Sequence, residues 1–275
     1  MMSTTTTTTR PETIPPGHYG LLDLVRSEWT KLRTVRSTLW TYAVTILIGI
    51  GVSVLATAET RAHWNATSSV GFDPVALSLI GVFFGQLVIG ILGVMIMSAE
   101  YSTGTIRATF AASPRRPLVL VAKIVVFVVA TTIVAELLTF ASFLIGQSLL
   151  TAPATHATLS SPDALRSVFE TGLYLVVIGL FAMGLATIIR HTAGAISTFV
   201  AILLVLPAIF QALPSSIYDS YARFLPSRIG STIISRHFAD PKVLAFGPWT
   251  GLLVLTGYAA LVLIAGGVLQ VRRDA

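Results

Sequence analysis

Residues 98–123 read SAEYSTGTIRATFAASPRRPLVLVAK, and the fold follows from how this stretch sits between its neighbours. A long apolar run ends at Ser98 and another begins at Leu118. Between them stand Glu100, a Gly-Thr break (Gly104, Thr105), a short mixed segment with Arg107 and Phe110, and the turn Ser113-Pro114-Arg115-Arg116-Pro117. Lys123 lies about one turn into the second run. Hydrocarbon cannot hold such a segment, because unpaired charges and free backbone groups there cost several kcal/mol. Its three arginines put it on the cytoplasmic side by the positive-inside rule. The stretch therefore predicts a short cytoplasmic helix, a ledge tied to two membrane helices.

Outward from it, six apolar runs approach the roughly 20 residues a span needs. They cover about Leu39–Thr57, Val75–Ser98, Leu118–Leu149, Phe169–Ile189, Ala193–Leu213 and Trp249–Leu269. Of the 275 residues 54% are hydrophobic and 11% charged, against about a quarter charged in soluble domains. The fold class is thus all-α and polytopic. The third run exceeds one span and must tilt, kink or project beyond the bilayer. Only Arg190-His191-Thr192 separates the fourth from the fifth, which predicts a tight helical hairpin, and Pro207 predicts a kink near the fifth's outer end. Gly81, Gly85, Gly90 and Gly93 in the second run, and Gly49 and Gly51 in the first, suit close helix packing.

Ahead of the first run, residues 19–38 repeat Leu21, Val25, Trp29, Leu32 and Val35 at three- and four-residue steps. Asp23, Arg26, Lys31 and Arg33 fall on the remaining faces, so the segment reads as an amphipathic helix lying in the headgroup plane. The alternative is a helix packed on a partner protein. Residues 1–18 are rich in Thr and Pro and are expected to be a disordered cytoplasmic tail, leaving 19–275 as one six-span transmembrane domain. The first apolar run starts behind a long polar segment and is expected to be uncleaved.

With both termini inside, twelve basic residues (Arg10, Arg26, Lys31, Arg33, Arg36, Arg107, Arg115, Arg116, Lys123, Arg190, Arg272, Arg273) are cytoplasmic. Six (Arg61, Arg166, Arg223, Arg228, Arg236, Lys242) are external. The long outer loop 214–248 is amphipathic and divided by Pro226, which fits short helices dipping into the outer leaflet or an external folded cap. The net charge of +6 follows this topology, and no basic face interleaved with aromatics points to nucleic acid.

Catalytic and cofactor motifs do not stand out. None of the three lysines closes a G-x-x-x-x-G-K-[ST] loop, and neither G-x-S-x-G nor H-E-x-x-H occurs. The five histidines are scattered, and the lack of cysteine excludes thiolate sites. Two polar residues lie deep in apolar runs: Glu136, past the midplane when counted from Lys123, and Gln86. Intramembrane carboxylates mark pathways or relays, or else hold helices together. Glu136 and Gln86 are the candidates for a substrate path.

The order Glu100, Gly104-Thr105, Pro114, Arg116, Lys123 resembles the coupling segment of ABC-2-type permeases, the membrane subunits of type-2 ATP-binding-cassette exporters. Tyr101-Ser102-Thr103 lacks the second acid that often follows the first in that family. The resemblance implies docking of a cytoplasmic ATPase on Glu100, Gly104, Thr105, Arg107, Phe110, Pro114, Arg115, Arg116 and Lys123. It also implies an interfacial helix carrying Val25, Trp29, Lys31, Leu32 and Arg33. ATP and Mg would be bound by the partner ATPase and none by this chain. A second permease subunit, identical or related, membrane lipid and an exported amphiphilic, drug-, lipid- or peptide-like compound complete the expected partners, in a bacterial plasma membrane. The other readings are an ATP-independent secondary transporter using Glu136 for ion coupling, and a non-transporting membrane scaffold.

Overall fold

The computed structural model describes residues 20–64, 71–102, 104, 116–152, 154–235 and 245–273. Among these the regular structure is helical, with six helices long and apolar enough to cross a membrane. A short helix, α1 (Leu21–Thr34), leads through the single residue Val35 into α2 (Arg36–Ala62). Next come α3 (Pro74–Ser78), α4 (Val82–Ser102), α5 (Arg116–Leu149) and α6 (Ala164–Ile189). The fifth span combines α7 (Thr192–Val200), a π-helical turn (Ala201–Val205) and α8 (Leu206–Gln211). Beyond it lie α9 (Ser215–Tyr221), a 3-10 turn, α10 (Pro226–Ile234) and the last span, α11 (Pro248–Arg273).

α6 is the hub, packed against α4, α5 and α11. From Gly172 onward it is apolar almost all round, as a helix enclosed by others must be, and it is the most buried of the spans. Glycines let its neighbours approach. A Cβ on Gly93 of α4 would run into the carbonyl of Gly179 on α6, so both helices meet backbone to backbone there. α2 shows the pattern inverted by lipid. Its buried stripe is Thr38, Tyr42, Thr45, Gly49, Ser53 and Thr57, whereas Leu47 and Leu55 face outward. Small and polar side chains face the bundle, and the Tyr42 hydroxyl shares a hydrogen bond with Thr131 of α5 at 2.8 Å.

Five details depart from or sharpen the sequence reading. The expected run from Val75 is two helices. Asp73 caps α3 by accepting from the Val75 and Ala76 amides, and the chain turns at Leu79–Gly81 before α4 begins. Gly81 sits where any Cβ would strike the Gly49 carbonyl, and its amide donates to Ser53 Oγ at 3.1 Å. Gln147 of α5 holds this corner, donating to the Pro74 carbonyl and Ser78 Oγ while accepting from the Ala157 amide. The long third run is one continuous helix of 34 residues, about 51 Å at 1.5 Å per residue.

The predicted hairpin is present and tight. Arg190 ends α6 in the left-handed region (φ 60°), and His191 caps α7 by accepting from the Gly194 amide. Pro207 has no amide hydrogen for the Leu203 carbonyl, and the chain widens into the π turn just before it. Pro226 divides the long 214–248 loop as expected, opening α10. That helix buries Ile229 and Ile233 and packs on α6 and α11.

Candidate functional site

The polar residues that bracket 98–123 meet in one cluster. Lys123, on the second turn of α5, donates to Glu28 Oε2 at 2.8 Å and to Glu100 Oε1 at 2.6 Å. Lys31 of α1 donates to Glu28 Oε1 at 2.6 Å and to Glu100 Oε1 at 3.0 Å. Two ammonium groups thus share two carboxylates, joining α1, the end of α4 and the start of α5. The Lys123 side chain is 2% exposed and that of Lys31 44%. Burial works against a charged Lys31, but its bonds to Glu28 and the field of Glu100 outweigh it and raise its pKa above the ordinary lysine value. Glu28 and Lys31 are three apart, on one face of α1, which is the spacing that lets a helix present both to one neighbour.

Glu100 and Lys123 belong to the expected coupling segment and Lys31 to the expected interfacial helix, and the fold brings both lysines onto the Glu100 carboxylate. Glu28 was missed. Its signal was a lone acid within the step of Val25, Trp29 and Leu32, a place where a soluble-helix reading expects apolar contact. α1 turns Glu28 and half-buried Trp29 and Leu32 toward the bundle, packing on α5. Leu21 and Val35, placed on the apolar stripe, are exposed, as is Arg33, and Val25 is half-buried. Gly104 takes a positive φ of 72° in a bend, the conformation that a Gly break provides most easily. Thr105, Arg107, Phe110, Pro114 and Arg115 lie outside the described residues, as does the side chain of Arg116.

A second set of contacts ties the same end together. Arg190, in its left-handed conformation, donates to the Leu269 carbonyl at 3.1 Å and lies 5.3 Å from the centre of the Tyr101 ring. It thereby links the α6–α7 hairpin to the end of α4 and to α11. Sequence reading counted Arg190 only as a topology charge.

The two deep polar residues do not share a site. Glu136 is half-buried and lies against Gly172 of α6, where the missing Cβ leaves room for its carboxylate. Both its oxygens are enclosed without a hydrogen-bond partner among the described residues. Gln86 accepts from the Tyr174 hydroxyl. Together they line a cavity of about 540 Å³ between α4, the π turn and α10, with Gln211, Tyr218 and Arg228. Glu136 is not among its walls.

A family model described as "ABC-2 family transporter protein" matches residues 24–214, more than two thirds of the chain. The match runs from α1 through all of the first five spans and stops at Pro214, before α9, α10 and the last span. No curated protein matches the sequence. Six apolar helices, a bundle latched where the resemblance places its coupling segment, and this match together settle the question: the chain belongs to the ABC-2 transporter family, as a multi-pass membrane permease.

Proposed function

We propose that this permease is the membrane half of an exporter driven by a separate cytoplasmic ATPase, which binds ATP and Mg. The observation that carries the reading is the Glu28–Lys31–Glu100–Lys123 cluster. Glu100 and Lys123 stand on either side of residues 103–115, so force applied to that segment passes directly into α1, α4 and α5. The ATPase docks on Arg107, Phe110, Arg115 and Arg116, with Phe110 filling a pocket. Both termini are cytoplasmic, in a bacterial plasma membrane, and two permease subunits pair. The cargo is amphiphilic, and the cavity at Gln86, Tyr174 and Arg228 offers it an apolar body with hydrogen-bonding groups.

The test is co-purification of the tagged chain with a soluble Walker-motif protein, with and without Phe110→Ala and Arg116→Ala together. Truncating an aromatic or Arg hot spot costs about 2 kcal/mol or more, roughly thirtyfold in affinity. ATPase recruitment and transport unchanged in the double variant would defeat the docking assignment. An externally accessible tag near Arg107 would defeat the orientation.

One observation favours a second reading, an ATP-independent transporter using Glu136 for ion coupling: its carboxylate is enclosed and unpaired. Under that reading Glu136→Gln stops transport at normal membrane levels. Under the first, when Glu136 only holds helices, Glu136→Gln transports normally and Glu136→Leu lowers expression.

A further inference from the structure

Beside the ionic cluster the bundle encloses a cavity of about 410 Å³, open on one side and bounded by α1, the first turns of α2, the end of α4 and the start of α5. Its walls are apolar, including Leu32, Leu92, Met95, Ile96, Val126 and Phe127. Its polar rim is Lys31 with Ser37 and Thr41, next to Glu28, Glu100 and Lys123. The volume lies within the roughly 300–1,000 Å³ of small-ligand sites, and the lining has their usual form, a greasy body with a few placed polar groups.

The two lysines of the cluster are not equivalent. Lys123 bonds both carboxylates and is enclosed, with no open side from which a further acceptor could reach it. Lys31 makes the same two contacts, yet 44% of its side chain is open. An ammonium has three donors, so Lys31 keeps one for an acceptor arriving in the cavity. Arg33 and Arg36 stand exposed on the same elbow, which leaves this end of the molecule with more positive than negative charge. Leu39 and Trp40, just after the rim on α2, are 49% and 70% exposed, and in a membrane-spanning chain that surface meets lipid.

We propose that the cavity is a binding site for an anionic phospholipid from the adjoining leaflet. Its phosphate lies on Lys31 and the Ser37 hydroxyl, and one acyl chain runs along Leu92, Ile96 and Phe127. Occupancy competes for Lys31 and leaves Lys123 on both carboxylates, so bound lipid loosens the grip of α1 without dismantling the cluster. The proposal concerns lipid binding alone, is measured without ATPase or cargo, and stands or falls separately from the transport reading.

The test is native mass spectrometry of the full-length chain released from detergent after incubation with phosphatidylglycerol or phosphatidylcholine of identical acyl chains. Phosphatidylglycerol should be retained about fivefold better, the factor expected from one basic residue at an anionic headgroup. Lys31→Gln should abolish that preference while leaving phosphatidylcholine unchanged. Ala99→Trp, which pushes an indole in from the cavity wall, should remove the retained phosphatidylglycerol. Leu253→Trp, on the exposed face of α11, should leave it unchanged. Equal retention of the two lipids by the unmodified chain overturns the proposal, as does a preference that survives Lys31→Gln. If Ala99→Trp does not fold, the headgroup comparison and Lys31→Gln decide alone.

Discussion

Replacing Lys123 by Met should harm the protein more than replacing Lys123 and Glu100 together, by Met and Gln. The cluster holds two ammonium groups and two carboxylates within 2.6–3.0 Å of one another. Lys123→Met removes the most enclosed cation and leaves Glu28 and Glu100 sharing Lys31, so one negative charge is uncompensated at a largely buried place. Removing one partner of a buried pair costs about 3–5 kcal/mol, whereas replacing the whole pair by neutral groups is often close to neutral. In the double variant Lys31 still faces Glu28 at 2.6 Å and the charges balance. It should recover more than half of the loss, a coupling of about 2–3 kcal/mol between positions 100 and 123, within the range for residues in one network. The assay is heat-induced loss of monodisperse protein in detergent, for wild type, both single variants and the double. Additive effects of the two substitutions would refute the argument, because they would mean that Glu100 and Lys123 do not depend on each other.

Tyr174→Phe leaves Gln86 without its hydroxyl donor and should cost about 1 kcal/mol by the same heat assay, with little change in expression. Gly93→Val puts a branched side chain where even a Cβ meets the Gly179 carbonyl, so it should block accumulation of the folded chain, as judged by size-exclusion profile. For Lys31 the raised pKa sets the sign: its contribution is fully present below about pH 10 and is lost only as pH rises through the folded value. Heat stability should therefore show no Lys31-dependent change between about pH 6 and 9, and a difference between wild type and Lys31→Gln that shrinks above that range.

The spans were legible because lipid rewards length and apolarity, signals that do not depend on what each helix packs against. Their faces were harder to read. In water the buried side of a helix is its apolar side, but in α2 the buried stripe is Thr, Tyr, Gly and Ser, and the leucines point outward. The break at Leu79–Gly81 was hidden for a related reason. Hydropathy stays high from Val75 onward, and the chain turns because Asp73 caps one helix, Gly81 must abut the Gly49 carbonyl, and Gln147 satisfies the corner from 69 to 73 residues away.

At the cluster, Glu100 and Lys123 were identified from the resemblance of their surroundings, and Lys31 from its place on an amphipathic helix. Glu28 could not be found that way, because periodicity treats an acid amid apolar neighbours as noise. Counting charge would have found it. Lys123 lies one turn into a span, where a lone ammonium is costly; Glu100 can offset one cation, yet Lys31 comes to the same carboxylate. A second acid was therefore required within reach, and α1 has two, Asp23 and Glu28. Only Glu28 sits three residues from Lys31, on the face where both meet α5, while exposed Asp23 closes onto the Gly20 amide at the helix start. The electrostatic requirement of a lysine on α5 thus fixes which side of α1 faces the bundle, and with it the elbow that the first span turns on.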